Sequence, residues 1–254
     1  MNAPPLTVAA LRGTGLAQRF GSRTLYHDVT FEVAHREVFV ILGGSGCGKS
    51  TLLRQCIGLL PPTAGEVDLL GCDMYAAAPA AREAVQRRIG VMFQSGALFG
   101  SMTLLENIML PLEVHTDLPL PGRRRVARLK LGLVGLADAA SLLPAEISGG
   151  MAKRAAIARA LALDPPLLLL DEPSAGLDPV TSAGIDQLIL ELRRDLGLTF
   201  VVVTHELASI LAIADRCLML DRDAEGVIAA GDPRTLRDTS EDPKVRGFFR
   251  REAA

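Results

Sequence analysis

Aromatic residues and cysteines are scarce in this chain of 254 residues, which has no tryptophan, two tyrosines and eight phenylalanines. Its four cysteines, Cys47, Cys56, Cys72 and Cys217, show no C-x-x-C spacing. Neither a disulfide framework nor a zinc site is therefore indicated, and a reducing compartment is expected. The formal net charge of −2 provides no basic stripe for a phosphate backbone, so we do not expect nucleic acid as a partner.

Long hydrophobic runs are also missing. No uninterrupted apolar stretch approaches the roughly 18 residues that span a bilayer, and the N-terminus lacks the pattern of a signal peptide. We therefore expect that the chain does not itself cross a membrane. What the chain does have is a hydrophobic fraction of 49%, enough for the large core of one domain with a subdomain.

The most informative segment is a glycine-rich stretch that follows an apolar run at residues 38–42. The pattern G-x-x-x-x-G-K-S after a buried strand and before a helix predicts a loop whose backbone N–H groups face phosphate oxygens. Lys49 is expected to reach the β- and γ-phosphates of ATP, and the Ser50 hydroxyl to bind Mg²⁺. Cys47 is expected to act as a small filler residue. The predicted nucleotide-binding residues of this loop are Gly43, Gly44, Ser45, Gly46, Cys47, Gly48, Lys49, Ser50 and Thr51.

Two acids end a second apolar run, at residues 167–170. A continuous apolar run of this length is typical of a strand that is buried on both faces of a parallel sheet. Asp171, at the strand end, is expected to hold Mg²⁺ through water. Glu172 is placed to polarise the water that attacks the γ-phosphate. The alternative is a strand that ends in a polar turn with an incidental acid pair.

A third pattern precedes this acidic strand. Ser148, Gly149, Gly150 and Met151 lead into residues 152–162, which are rich in strong helix formers. Ser148 is a plausible N-cap, and the two glycines leave N–H donors open to an anion. Taken alone, the pattern predicts only the start of a helix.

The order of these three patterns resembles that of the ATP-binding-cassette (ABC) ATPases, whose signature motif lies just before the acidic strand. The resemblance covers nearly the whole chain. It implies ATP hydrolysis with Mg²⁺ in a homodimer, in which the signature Ser148, Gly149, Gly150 and Met151 of one subunit closes on the γ-phosphate held by the other. Cassettes that bind ATP without turnover are an alternative, and four intact residues argue against it: Lys49, Asp171, Glu172 and His205.

Four further residues match landmarks of that family. Phe20 resembles the aromatic that stacks on adenine, although an aromatic in an early strand is more often part of the core. Gln94 resembles the Q-loop glutamine, which senses Mg²⁺ and the transport partner. Asp178 lies in a segment similar to the loop that crosses the dimer interface, and His205 resembles the switch histidine that contacts the γ-phosphate.

The resemblance implies an α/β fold, an ABC-type P-loop ATPase with a RecA-like core, an antiparallel β subdomain and an inserted α-helical subdomain. Breaks between helices are expected at Pro111, Pro119, Pro121 and Gly122. The expected divisions are a nucleotide-binding domain at 7–250, with its core at about 7–95 and 164–231, the helical subdomain at about 96–163, and a C-terminal helical cap at about 232–250.

Within the family, the chain resembles the ATPases of Mla-type phospholipid-trafficking systems. The resemblance rests on residues 93–99, Asn107, residues 111–112 and residues 115–119. It rests also on Met151 in place of the usual signature glutamine, and on residues 242–249. It implies an integral-membrane permease and an MCE-domain lipid-binding protein as partners. The ATPase would then lie on the cytoplasmic side of the inner membrane, held there by the permease.

The segment at residues 95–105, here named the coupling segment, is expected to receive a short cytoplasmic helix of the permease. Leu98 and Phe99 are its expected apolar anchors, and the alternative is that both are core residues of the helical subdomain.

Other members of the family remain as alternatives. An ATPase of an amino-acid or lipoprotein transporter shares the same catalytic motifs. A soluble ABC ATPase for DNA repair is disfavoured, because the 98 residues between Lys49 and Ser148 contain no sustained heptads. A translation factor usually carries two cassettes, and this chain has one.

Overall fold

The computed structural model describes residues 9–94 and 96–250. Residues 7 and 8 of the expected domain and Ser95 of the coupling segment lie outside the described residues. The strands are β1 (Leu11–Phe20), β2 (Arg23–Val33), β3 (Val38–Gly43), β4 (Ala64–Leu69), β5 (Cys72–Asp73), β6 (Ile89–Met92), β7 (Leu167–Asp171), β8 (Thr199–Val203), β9 (Arg216–Asp221) and β10 (Gly226–Gly231). The helices are α1 (Lys49–Cys56), α2 (Pro79–Gln86), α3 (Leu104–His115), α4 (Leu120–Leu133), α5 (Gly149–Ala160), α6 (Pro179–Leu196), α7 (Leu207–Ile213), α8 (Pro233–Thr239) and α9 (Pro243–Arg250), with 3₁₀ helices at Ala137–Ala139 and Pro144–Glu146.

The chain forms two compact units. The first contains the residues up to Gln86 together with those from Ala214 onward, and the second contains Arg87–Ile213. In the described part of both units, no helix combines the length and the apolar character needed to cross a membrane.

The first unit contains an antiparallel sheet in the order β2, β1, β4, β5. Along β1, buried Leu11 alternates with exposed Arg12, the two-residue period of a strand with one face on the core. In the same unit, β3 runs parallel to β9, which pairs antiparallel with β10. Every residue of β3 is buried, as expected for a parallel strand covered on both faces.

The second unit contains the parallel strands β6, β7 and β8, with β7 in the middle. All five residues of β7 and all five of β8 are buried. The register pairs Met92 with Leu170 and Asp171 with Val203, so the three strands end at one edge. Ligand-binding loops of open parallel sheets begin at this edge, and the loops that carry Gln94, Glu172 and His205 all start there.

Helices α3, α4 and α5 occupy most of the segment expected to be helical. Thr103 and Glu106 form a reciprocal capping box that starts α3, a motif that satisfies two backbone donors at once. Pro119 caps α4 and Pro121 lies in its first turn, where a missing N–H costs nothing.

The predicted helix break at Pro111 is wrong, because this residue lies inside α3. Ile108 and Leu112 on either side of it are buried. Packing of these neighbours overrides the local preference of proline, which removes one hydrogen bond without ending the helix.

Candidate functional site

The glycine-rich loop joins β3 to α1 in the first unit. Gly48 caps α1 with a φ of 103°, a left-handed conformation that a side chain strongly disfavours. A Cβ added at Gly48 would also lie 2.8 Å from the Tyr26 ring. Gly44, Ser45 and Gly46 are exposed, so the turn between strand and helix presents its backbone to solvent.

Lys49 folds back over this loop. Its Nζ donates to the carbonyl oxygens of Gly43 at 2.8 Å and Gly44 at 2.9 Å. The ammonium is therefore held beside the backbone that would cradle a phosphate, and half-buried Ser50 and Thr51 follow it in the first turn of α1.

Cys47 is buried in the loop, and burial raises the pKa of its thiol, although the Lys49 charge acts in the opposite direction. A thiol that resists ionisation reacts slowly with alkylating reagents. Its environment supports the filler role expected from the sequence.

Phe20 ends β1 and is 52% exposed. It is therefore not a core residue, and the alternative of a core aromatic is wrong. Behind it, a buried chain of hydrogen bonds runs from the Tyr26 hydroxyl to Gln55 Oε1 (2.8 Å) and from Gln55 Nε2 to Gln18 Oε1 (2.7 Å). These bonds tie α1 to the strand that carries Phe20. No local pattern predicts this network, because its three members lie on three different elements.

Glu172 lies in the second unit, one residue beyond β7. It adopts a φ of 51°, and its N–H donates to the Val203 carbonyl at 2.8 Å. Its side chain is buried, with Oε1 2.8 Å from Nδ1 of His205. Within the described residues, the buried Oε2 atom has no hydrogen-bond partner. A buried carboxylate with one oxygen held by a histidine and the other unpaired keeps one acceptor for the proton of an attacking water.

The His205 side chain is 60% exposed although its Nδ1 meets Glu172. It lies two residues beyond the end of β8, at the strand end where the sequence predicted it. The exposed part of the imidazole leaves its second nitrogen accessible to a ligand. Asp171, the last residue of β7, is buried at the same strand edge.

The Gln94 side chain is exposed, and its backbone carbonyl accepts a hydrogen bond from Lys153 Nζ at 2.6 Å. The same ammonium donates to the backbone carbonyl of Glu172 at 3.1 Å. Burial lowers the pKa of Lys153, while the charges of Glu172, Asp171 and Glu206 act to raise it. Sequence reasoning missed Lys153, since a lysine in a predicted helix is usually a solvated residue. Its position among small and apolar residues of α5 was the only available signal.

The signature residues start α5. Ser148 is its N-cap, with Oγ accepting from the Met151 N–H at 3.3 Å, which confirms the predicted helix start. Ser148 and Gly149 are exposed, whereas Gly150 is buried. A Cβ at Gly150 would lie 2.4 Å from Thr181 Cγ2, so the signature turn packs tightly on the first turn of α6.

Asp178 caps α6 and accepts hydrogen bonds from the N–H groups of Val180 (3.0 Å) and Thr181 (3.1 Å). The Thr181 hydroxyl also donates to it. These bonds lower the pKa of the Asp178 carboxyl. Capping is thus one role of Asp178. The loop that carries Asp178 lies beside the signature, so the two elements predicted to meet a second subunit share one surface of the second unit.

Asn107, which helped to identify the Mla-type resemblance, shapes the coupling segment. It is buried in α3, and its Oδ1 accepts from the Phe99 N–H at 2.8 Å. Its Nδ2 lies 3.0–3.1 Å from the carbonyl oxygens of Phe99, Met102 and Thr103. Phe99 is 49% exposed, so it is not a core residue, and Leu98 is half-buried.

The family model described as ABC transporter matches residues 26–175. The ATP-binding protein MlaF of the intermembrane phospholipid transport system of Escherichia coli (strain K12) is 41% identical over 90% of this chain and 84% of its own length. The protein named "Probable ribonucleotide transport ATP-binding protein mkl" of Mycobacterium leprae is 41% identical over 94% of this chain and 68% of its own length. The ATP-binding cassette MJ0796, solved as a dimer in a post-hydrolysis state with ADP and Pi, is 31% identical with a TM-score of 0.78, covering 87% of this chain and 98% of that one. These likenesses confirm the predicted α/β fold of an ABC-type P-loop ATPase. The chain belongs to the ABC transporter family and is one of its ATPases.

Proposed function

We propose that this chain hydrolyses ATP at Glu172 to drive the movement of phospholipid between two membranes. The observation that carries the hydrolytic part is the Glu172 carboxylate, which is buried, hydrogen-bonded to His205 through one oxygen and unpaired at the other within the described residues. The phospholipid part is supported by the likeness to the E. coli protein and by the residues around the coupling segment.

In this proposal the chain's own residues divide the work of hydrolysis. Lys49 and the loop N–H groups orient the β- and γ-phosphates, which is most of what phosphoryl transfer asks of a protein. Glu172 Oε2 accepts the proton of the attacking water. His205 holds Oε1 of that carboxylate, and its exposed nitrogen meets the γ-phosphate. Phe20 stacks on adenine with its exposed ring.

We also propose a magnesium ion, on the chemistry of the donors alone. Ser50 of the first unit offers a hydroxyl, and Gln94 and Asp171 of the second offer amide and carboxylate oxygens, which are the hard donors that Mg²⁺ prefers; Asp171 would act through water. Such an ion neutralises charge on the phosphate oxygens when bound.

The active form is proposed to be a homodimer. Ser148 and Gly149 are exposed at the N-terminus of α5 beside Asp178, and a helix N-terminus favours an anion. We assign the signature Ser148, Gly149, Gly150 and Met151 to the γ-phosphate held by a second subunit, with the Asp178 loop at the interface.

The membrane partner is proposed to dock at the coupling segment. Exposed Phe99 and half-buried Leu98 provide apolar surface, and the bonds to Asn107 fix the backbone that presents them. The proposed partners are an integral-membrane permease and an MCE-domain lipid-binding protein, with the ATPase at the cytoplasmic face of the inner membrane. The domain divisions expected from the sequence, 7–250 with the helical subdomain at about 96–163, are kept as part of this proposal.

A second candidate substrate comes from the Mycobacterium leprae relative, whose name specifies ribonucleotide and whose identity equals that of the E. coli protein. Copurification of the untagged membrane complex, followed by reconstitution, distinguishes phospholipid from ribonucleotide as the substrate. We expect a permease and an MCE protein in one particle, with ATP-dependent transfer of labelled phospholipid and no uptake of labelled ribonucleotide. Ribonucleotide uptake without lipid transfer would reverse the substrate assignment.

A further inference from the structure

We propose that Lys153 is a positioning residue that locks the Q-loop and the backbone of Glu172 together, so that its loss lowers turnover and leaves ATP affinity nearly unchanged. This inference rests on the proposed hydrolytic function of Glu172. Lys153 itself makes no contact with the predicted reacting atoms.

The geometry places one ammonium between two loops. Lys153 Nζ, on α5, lies 2.6 Å from the Gln94 carbonyl and 3.1 Å from the Glu172 carbonyl. The first loop follows β6 and the second follows β7, which are neighbouring parallel strands. Charge-assisted hydrogen bonds are about twice as strong as neutral ones, so this cation couples the two loop backbones more firmly than a neutral side chain would.

Glu172 needs such support because its backbone is strained. A left-handed conformation of a residue other than glycine is strained and persists only where its surroundings enforce it. Here the N–H is held by the Val203 carbonyl at 2.8 Å, and the carbonyl accepts from the Ala175 N–H at 3.3 Å and from Lys153 Nζ at 3.1 Å. Without the ammonium, only the longer hydrogen bond from the Ala175 N–H restrains this carbonyl, so the Glu172 backbone relaxes from its left-handed conformation and the carboxylate is displaced with it.

Charge explains why a cation suits this position. The acids that act on Lys153 are Glu172, Asp171 and Glu206. Their negative charges oppose the effect of burial, which disfavours the charged lysine. The ammonium therefore compensates the charge that Asp171 and Glu172 concentrate at the strand edge.

The neighbouring Arg154 provides a matched control. It lies on the same helix and also donates to two backbone carbonyls, those of Val134 and Gly184, each at 3.4 Å. Neither carbonyl belongs to the predicted site. Arg154→Met thus removes a half-buried cation and two cation–carbonyl contacts without touching Glu172.

The test compares the wild-type ATPase, in its transporter complex, with three variants: Lys153→Met, Lys153→Arg and Arg154→Met. For each protein, kcat, KM, the Kd for ATP and the melting temperature are measured. A displacement of about 1 Å at a reacting group costs up to about 100-fold in rate, so we expect Lys153→Met to lose about 10- to 100-fold in kcat with a Kd within about twofold. Lys153→Arg keeps the donors and should recover most of the rate. Arg154→Met should retain wild-type turnover.

Three results would overturn the inference: wild-type kcat in Lys153→Met, equal losses of kcat in the Met and Arg variants at position 153, or an equal loss in Arg154→Met. If Lys153→Met does not fold, Lys153→Gln replaces it under the same criteria. A wild-type protein that does not hydrolyse ATP overturns the proposed function, and this inference falls with it. Normal wild-type hydrolysis with an unaffected Lys153→Met removes the inference alone.

Discussion

At the scale of single residues, the two units hold different parts of the predicted chemistry. Lys49 is held by carbonyls of its own loop in the first unit. Glu172 is held by His205 and Lys153 in the second. In each case hydrogen bonds within the protein restrain the charged side chain, and restrained charges favour electrostatic catalysis.

Replacing Lys49 by alanine should weaken ATP binding, because a positive charge facing the β- and γ-phosphates is lost. A hydrogen bond to a charged group contributes about 1.5–3 kcal/mol, so affinity should fall by roughly 10- to 100-fold. Calorimetric titration of ATP gives the Kd. Arg54→Ala, which removes an exposed charge at the other end of α1, is the control and should leave the Kd unchanged. An unchanged Kd in folded Lys49→Ala would show that this loop does not bind phosphate as described.

Asp186 gives a pH-dependent prediction for stability. It is buried in α6, and burial, together with the charge of Glu206, raises its pKa above the ordinary carboxyl value. The folded state then holds the proton more tightly than the unfolded state. The free energy of unfolding therefore falls as pH rises from the pKa of Asp186 in the unfolded state to its pKa in the folded state, and it stays lower above that range. Asp186→Asn lacks this titration, so its advantage in melting temperature over the wild type should be larger at pH 8 than at pH 4. The same difference at both values would contradict this account.

At the scale of elements, the sequence predicted those whose physics is local. The apolar runs of β3 and β7, the glycine-rich loop and the Ser148 cap all lie where short-range patterns placed them. Pro111 was misjudged, because burial of its neighbours overrides its preference to end a helix. Lys153 contacts two loops that are distant from it in sequence. Asn107 contacts backbone carbonyls, which every residue has and which therefore carry no residue-specific signal. Tertiary structure alone reveals them.

The signature element gives a prediction that involves two subunits. Ser148→Arg blocks the exposed start of α5, and Lys49→Ala disables the phosphate loop, so neither variant alone should close on ATP. Mixing the two should give heterodimers with one intact combination of loop and signature, and ATP-dependent closure should return in those heterodimers only. Cross-linking across the dimer, with each variant alone as the control, measures this. Closure that stays absent in purified heterodimers would remove the support for a shared site.

At the scale of the whole molecule, the account joins ATP hydrolysis to movement in a membrane partner. Exposed apolar residues in a fixed loop are the surface on which such a partner can dock, and a few buried anchors typically dominate an interface. Phe99 is such a residue, held by Asn107 through both its N–H and its carbonyl.

The double substitution Leu98→Asp/Phe99→Asp should leave ATP binding by the isolated ATPase nearly intact while releasing the permease and stopping lipid transfer. Buried anchors can contribute more than about 2 kcal/mol to an interface, so the affinity for the permease should fall by more than about 30-fold. Copurification with the permease and thermal melting are measured together. Val114→Asp, at an exposed apolar position on α3, is the control and should keep the complex. A strongly lowered melting temperature would instead indicate a core role, and full lipid transfer by a folded variant would contradict the coupling assignment.

The central claim is that hydrolysis at Glu172 drives phospholipid transfer, and Glu172→Gln in the reconstituted transporter tests it most directly. The amide keeps the shape of the side chain but loses the base, so ATP should still bind while single-turnover hydrolysis slows by about 10²- to 10⁴-fold. ATP-dependent transfer of labelled phospholipid between membranes should slow in parallel. Hydrolysis and phospholipid transfer at wild-type rates in this variant would contradict the account.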